Sequence, residues 1–355
     1  MKLSDFNYNL PKKYIAQTPA EPRDHSKLLV LHKKTGKIEY KHFYDIADYL
    51  NENDILAANN TKVMAARIFG NKPTGAKVEI LLLHQKSAKV WEALVRPAKK
   101  LKEGDAIFIK KNWDGKSLPS HPLRGEGIIS AKILKEMEDG IRLVEFNKNI
   151  IDKLDEIGKI PLPPYIKADD SEIFKTRYQT VYSKILGSAA APTAGLHFTP
   201  ELILNLKKNG IKFDFITLHV GLDTFKPLQE ENFKEHKMHS EYFKISEKTA
   251  NNFNKAKKEG HRIIAVGTTA ARALESACDK NGLFRAKEGW TNIFIYPGYE
   301  FKAVDALITN FHLPKSSLLL MVSAFACPEF IFKAYNETKK HNYRFFSFGD
   351  AMLII

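Results

Sequence analysis

Along this chain the apolar positions come in two rhythms. Short runs of alternating polarity begin at about Val63, and helix-length patterns return after residue 150. Before them, residues 28–31 read as a strand, Thr35-Gly36 as a hairpin turn and 37–40 as the returning strand. A short helix over 45–50 and a strand over 54–58 follow. Strand-length runs then succeed one another at 65–69, 76–84, 90–95, 106–109, 127–133 and 141–145. Clusters rich in Gly, Pro and Lys separate them, and only a half-turn at 134–138 reads as helical. Short strands at this spacing predict a small barrel or sandwich.

The segment 157–165, with GKIPLPPY at its core, reads as a stiff extended linker. Beyond it the pattern alternates. A helix over 201–209 starts from Thr199 as N-cap with Pro200 at the first helical position, and Gly210 closes it. A strand over 213–220, a polar helix over 246–259 and a strand over 262–266 come next; the last runs into Gly267-Thr268-Thr269 and a helix to Cys278. Strands at 292–296 and 301–305 and helices at 318–326 and 328–338 complete the pattern. The expected fold is an α/β main domain, residues 1–62 and 150–355, with an inserted all-β, small barrel-like domain over 63–149.

At 355 residues the chain exceeds one typical core, in keeping with two domains. Lys plus Arg number 55 against 41 Asp plus Glu, a net charge of +14. That excess points to an anionic partner, with nucleic acid first, set against a basic composition that carries no function. Cys278 and Cys327 fit no metal spacing and read as buried thiols. The first residues lack the apolar core of a signal peptide, and the longest apolar run, 317–327, is too short to cross a bilayer. A cytoplasmic protein with no membrane role is expected, and a monomer, since no self-pairing helix is visible.

Candidate chemistry gathers at strand ends. The run 187–199, GSAAAPTAGLHFT, is nearly all small residues with a single imidazole, His197. Small side chains let a backbone approach a large flat ligand, and Thr193, Ala194 and Gly195 are the candidates for that approach. Gly267, Thr268 and Thr269 form a strand-to-helix turn that could offer N–H groups to a carboxylate or phosphate, although an ordinary capped turn has the same look. TLHVGLDTF places His219 and Phe225 about a Gly-containing turn, and DALITNFHLP carries Asn310 and His312 out of a strand. His236 and His239 lie three apart and, with His219 or Glu241, could ligate zinc, but HxxH is a weak signal and no metal is expected. The segment 342–351, NYRFFSFGDA, reads as a last strand with Arg344 and Asp350 pairing locally, or as a stacking surface for a base. Lys99, Lys100, Lys102, Lys110 and Lys111 are candidate phosphate contacts or a solvated turn surface.

Together these strings, from YNLPKKYIAQTPAEPRDHSKLL through NNTKVMAARIFG, SAAAPTAGLHFT, TLHVGLDTF, HKMHSE, RIIAVGTTAARALES and LITNFHLPKSSLLLMVSAF to YRFFSFGDAMLI, resemble the S-adenosylmethionine:tRNA ribosyltransferase-isomerases of queuosine biosynthesis over the whole chain. Departures are small: GLDTF lacks a second Gly at Leu222 or Asp223, and Ala189 stands where Val is common. The resemblance implies transfer and isomerisation of the ribosyl group of S-adenosylmethionine onto 7-aminomethyl-7-deazaguanine in tRNA, with adenine and methionine released and epoxyqueuosine formed. The cofactor is thereby a consumed co-substrate, and the anticodon stem-loop the RNA partner. Such chemistry needs a base, an acid and a closed pocket. The resemblance nominates His197, His219 and His312 as catalytic, with His197 first as base. It nominates Thr193, Ala194, Gly195, Gly267, Thr268, Thr269, Asn310, Phe225 and Arg272 as substrate-binding, and Phe198, Phe225 and Tyr296 as aromatic neighbours for a sulfonium. Rival readings are an S-adenosylmethionine-dependent RNA methyltransferase, a non-catalytic RNA-binding protein and a zinc hydrolase built on His219, His236 and His239.

Overall fold

The computed structural model describes residues 1–109, 128–163, 165–166, 173–221, 224 and 227–355. The chain divides into two compact units. One contains Met1–Lys62 and Arg177–Ile355, the other Val63–Leu162.

The first unit is built on a nine-stranded mixed sheet. Its order is Lys287–Thr291, Glu241–Ile245, Lys212–Leu218, Ile55–Asn59, Ile263–Val266, Ala306–Asn310, Ala351–Ile354, Lys27–Leu31 and Ile38–His42. The central pairings are parallel, from Lys212–Leu218 across to Ala306–Asn310. Central strands are apolar at nearly every position because both faces are covered. Ile55 and Ala57 point into the core under the helices Glu247–Lys258, Thr268–Ala277, Ser317–Ala326 and Pro328–Lys340. Leu56 and Ala58 point the other way, onto Phe43, Ile46, Leu202 and Leu206.

The second unit is a closed six-stranded antiparallel barrel. Around it run Arg67–Asn71, Lys77–Gln85, Val90–Arg96, Ile141–Phe146, Ser130–Glu136 and Ala106–Ile109, and the last pairs back onto the first. Inward positions alternate strictly along Val90–Arg96, with Trp91, Ala93 and Val95 buried. At the closing seam Gly70 admits the neighbouring backbone: a Cβ there would stand 2.4 Å from the carbonyl oxygen of Phe108.

Four local expectations are corrected. Residues 292–296 and 301–305 are not strands; the chain pairs instead at Lys287–Thr291 and Ala306–Asn310. Residue 134 lies inside the strand Ser130–Glu136, so the half-turn shrinks to a 3-10 turn at Glu138–Gly140. The proposed linker begins with a helical turn, Leu154–Ile157, and Gly158–Lys159 pairs with the first barrel strand. Cys327 is exposed, not buried, at the start of the last helix, where its φ is 58°. Among the described residues no single helix is long and apolar enough to cross a membrane.

Candidate active site

Two neighbouring parallel strands end side by side at a pocket, the usual ligand position in an open α/β sheet. Ile263–Val266 passes through Gly267, whose φ of 96° an L side chain adopts only under strain, into the helix Thr268–Ala277. Ala306–Asn310 passes into Phe311, His312 and Leu313. The run Ala191, Pro192, Thr193 and Ala194 forms another wall, and Phe346 and Ser347 a further one. The pocket contains about 570 Å³ of empty space, counting its open mouth.

The helix end facing this pocket lacks a side-chain cap, since Gly267 occupies the cap position. The hydroxyl of Thr269, on a residue 6% exposed, is buried without a hydrogen-bond partner and belongs to the pocket wall. A buried orphan hydroxyl beside uncapped N–H groups is an arrangement that a bound anionic group completes.

His312 lines the same pocket. Its Nε2 is 2.7 Å from Thr309 Oγ1, and that hydroxyl donates to the carbonyl of Asn310 at 3.1 Å. With the hydroxyl proton so committed, Nε2–H of the ring donates to Thr309 and the lone pair lies on Nδ1. Burial pushes the ring down from its usual 6.5 to about 3, so it is neutral at physiological pH. Tyr8 OH donates to the His312 carbonyl, and the His312 N–H donates to Tyr335 OH at 2.9 Å, fixing the backbone on both sides.

His197 does not line the pocket. Nδ1 of His197 lies 2.7 Å from Ser26 Oγ, Nε2 accepts from Asn310 Nδ2 at 3.1 Å, and the ring stacks on Phe43 at 5.0 Å. Burial, then the charges of Arg344 and Arg23, push it to about 3. Asn310 in turn donates to the Phe346 carbonyl at 3.1 Å and accepts from Thr193 Oγ1 at 3.0 Å. Its amide is thereby engaged in joining three walls of the pocket.

His219 also stands away from it. Nδ1 of His219 lies 2.8 Å from Thr61 Oγ1, and its ring stacks on Tyr242 at 5.4 Å. Gly187 is small because that ring covers it: a Cβ would meet His219 at 2.5 Å. Gly195 likewise makes room for a neighbour, Tyr182, rather than for a ligand. Arg272 is buried in an ion pair with Glu241 and is absent from the pocket wall. His236 pairs with Glu230 at 3.0 Å and His239 with Thr224 at 3.0 Å. Among the described residues no group of three His, Cys, Asp or Glu side chains is placed to hold a metal ion. Phe225, Lys110 and Lys111 lie outside the described residues.

Comparison with known proteins identifies the family. The family described as "Queuosine biosynthesis protein" matches residues 3–354. The S-adenosylmethionine:tRNA ribosyltransferase-isomerase of Staphylococcus saprophyticus is 51% identical over 360 residues, covering all of both chains. That of Acetivibrio thermocellus is 52% identical over 359 residues, again covering both completely. The chain belongs to the S-adenosylmethionine:tRNA ribosyltransferase-isomerase family. A crystal structure of the S-adenosylmethionine tRNA ribosyltransferase of Thermotoga maritima matches 99% of this chain and all of its own, at 39% identity and a TM-score of 0.54.

The pocket unites Thr193, Ala194, Gly267, Thr268, Thr269, Asn310 and His312 of the sequence candidates. Thr224, Thr309, Ser316 and Leu318 were not among those candidates, and Phe346 and Ser347 belong to the segment 342–351 that reads only as a last strand or a stacking surface. Ser316 carried a signal, since it follows Pro314-Lys315 at a helix start, where its hydroxyl accepts from Leu319 N at 3.2 Å. Phe346, at a φ of 77°, sits in a turn that the aromatic pattern alone does not reveal.

Proposed function

We propose that this chain transfers and isomerises the ribosyl moiety of S-adenosylmethionine onto 7-aminomethyl-7-deazaguanine in tRNA, giving epoxyqueuosine-tRNA, adenine and methionine. The observation that carries the assignment of the site is the pocket itself: a neutral imidazole with its proton on Nε2 shares one wall system with an uncapped helix start and an orphan hydroxyl. S-adenosylmethionine is here a substrate, whose sulfonium makes the adjacent C5′ hydrogens acidic.

In this reading Nδ1 of His312 accepts the C5′ proton, and Thr309 holds the ring in the tautomer that leaves Nδ1 free to do so. Burial keeps the imidazole uncharged, so Nδ1 carries no proton before the reaction, although the same burial lowers its basicity. The N–H groups at Thr268 and Thr269, with the Thr269 hydroxyl, hold the carboxylate of the methionine part. His197 acts through Asn310 and orients it without touching the substrate. Exposed Lys99, Lys100 and Lys102 hold RNA phosphates.

The test is product analysis. The protein is incubated with ribose-labelled S-adenosylmethionine and tRNA carrying the deazaguanine precursor. Label in the tRNA, with free adenine and methionine in equal amounts, supports the reading. Release of S-adenosylhomocysteine with a methyl group on the RNA replaces it with methyl transfer.

A further inference from the structure

At the pocket wall stands a group of four side chains, three of them buried, that the proposed chemistry does not use. Thr224 belongs to the wall; Glu241, Arg272 and His239 stand behind it. Thr224, Glu241 and Arg272 are each no more than 2% exposed. The Thr224 hydroxyl donates to Glu241 Oε1 at 2.7 Å and lies 3.0 Å from His239 Nε2. Glu241 Oε1 also accepts from the N–H of Gly221 at 2.9 Å. Its other oxygen pairs with Arg272, whose Nε donates to the Ile293 carbonyl at 3.3 Å. Arg272 sits on the helix whose first turn carries Thr268 and Thr269, so a single ion pair ties two parts of the pocket wall together.

The direction of the Thr224 hydroxyl follows from this group. A carboxylate can only accept, so the hydroxyl proton is committed to Glu241. His239 Nε2, facing both oxygens, must then donate. Thr224 lines the pocket, and the lone pair left on its oxygen can only accept. Such a group suits a hydrogen-bond donor such as an ammonium and rejects an acceptor. Thr269, on the wall of the same pocket, has the opposite polarity: N–H groups and a free hydroxyl.

We propose that Thr224 is a specificity-determining residue that accepts a hydrogen bond from the α-ammonium of the methionine moiety, with Glu241 and Arg272 as the positioning pair that fixes its hydroxyl. The proposal rests on the substrate reading above and adds how two groups on one carbon are told apart: carboxylate at Thr269, ammonium at Thr224. Selection against ligands lacking the amino group then arises at Thr224, since an unmet ammonium or an unmet acceptor is costly in a closed site.

The test compares binding of S-adenosylmethionine with binding of its analogue lacking the α-amino group, measured by calorimetry on the full chain. Wild type should prefer the amino form by about 10- to 100-fold. Thr224→Val should erase that preference, Thr224→Ser should restore it, and Glu241→Gln should weaken it, because a carboxamide can donate to the hydroxyl and turn it round. Thr269→Val should lower affinity for both ligands while leaving the preference intact. Thermal unfolding of each variant identifies any that fail to fold, and the Thr224→Ser pair keeps the comparison decisive. A wild type that binds both ligands equally, or a folded Thr224→Val that keeps the preference, overturns the inference. A wild type that binds neither ligand overturns the substrate reading instead.

Discussion

Nδ2 of Asn310 donates to Nε2 of His197 across 3.1 Å, and this contact joins the end of one central strand to the small-residue run that faces it. Because the same amide also reaches Phe346 and Thr193, its loss would leave several buried partners unmet. Asn310→Ala should therefore destabilise the fold by about 2–3 kcal/mol, the cost of orphaned buried groups. Chemical unfolding at neutral pH measures this. An unchanged midpoint would show that Asn310 is not the joint described above.

Thr269→Val should separate binding from stability. The hydroxyl it removes has no partner in the free protein, so unfolding should shift by less than about 0.5 kcal/mol or move towards greater stability. The KM for S-adenosylmethionine should nonetheless rise about 10-fold, with kcat falling less. Steady-state kinetics with thermal unfolding on the same preparation checks both halves.

Acid should destabilise this protein earlier than it does most. His197 and His312 titrate near 3 when folded and near 6.5 when unfolded. Between those values the unfolded chain binds protons that the folded chain refuses. Stability is thus full above pH 6.5 and falls as pH drops through the window, by up to about 1.4 kcal/mol per pH unit for each ring. Glu241 adds to the fall at lower pH: burial opposes its ionisation, but Arg272 outweighs this and holds the carboxylate at about 2 against 4.5 when unfolded. Urea midpoints from pH 7 to pH 5 should follow this slope, and His312→Gln should remove about half of it. An unaltered slope in that variant would contradict the buried neutral ring.

Binding of tRNA should weaken steeply with salt, by about 0.7 to 0.9 in log affinity per tenfold salt for each phosphate contacted. Replacing Lys99 and Lys100 together by Ala should lessen that slope while leaving the KM for S-adenosylmethionine unchanged. A salt-insensitive affinity would remove these lysines from the interface.

Much of this was legible in the residue pattern, for physical reasons. Glycine 267 between an apolar strand and two threonines announces a strand-to-helix turn, and the turn lies where the pattern put it. The alternation along 90–95 announces a barrel strand because one face must be buried. What sequence could not give is direction. His197, His219 and His312 are alike in a string of letters, and each follows a small or polar strand end. Only the fold shows that His312 faces the pocket while Ser26 and Asn310 occupy the two nitrogens of His197. Arg272 shares a helix with Thr268 and Thr269, but helical rotation turns it to Glu241. Thr224 was invisible for the opposite reason, since its hydroxyl acquires meaning only from Glu241, seventeen residues away.

The most direct trial of the account is the single-turnover rate of adenine release, with saturating precursor tRNA and S-adenosylmethionine, in His312→Gln set beside His219→Gln. Loss of the proton acceptor should slow His312→Gln by about 100-fold or more, whereas His219→Gln should stay within about threefold of the unaltered chain, since its ring lies outside the pocket. Adenine release at the full rate from His312→Gln, or a collapse of the rate in a folded His219→Gln, would contradict the placement of the reaction in this pocket.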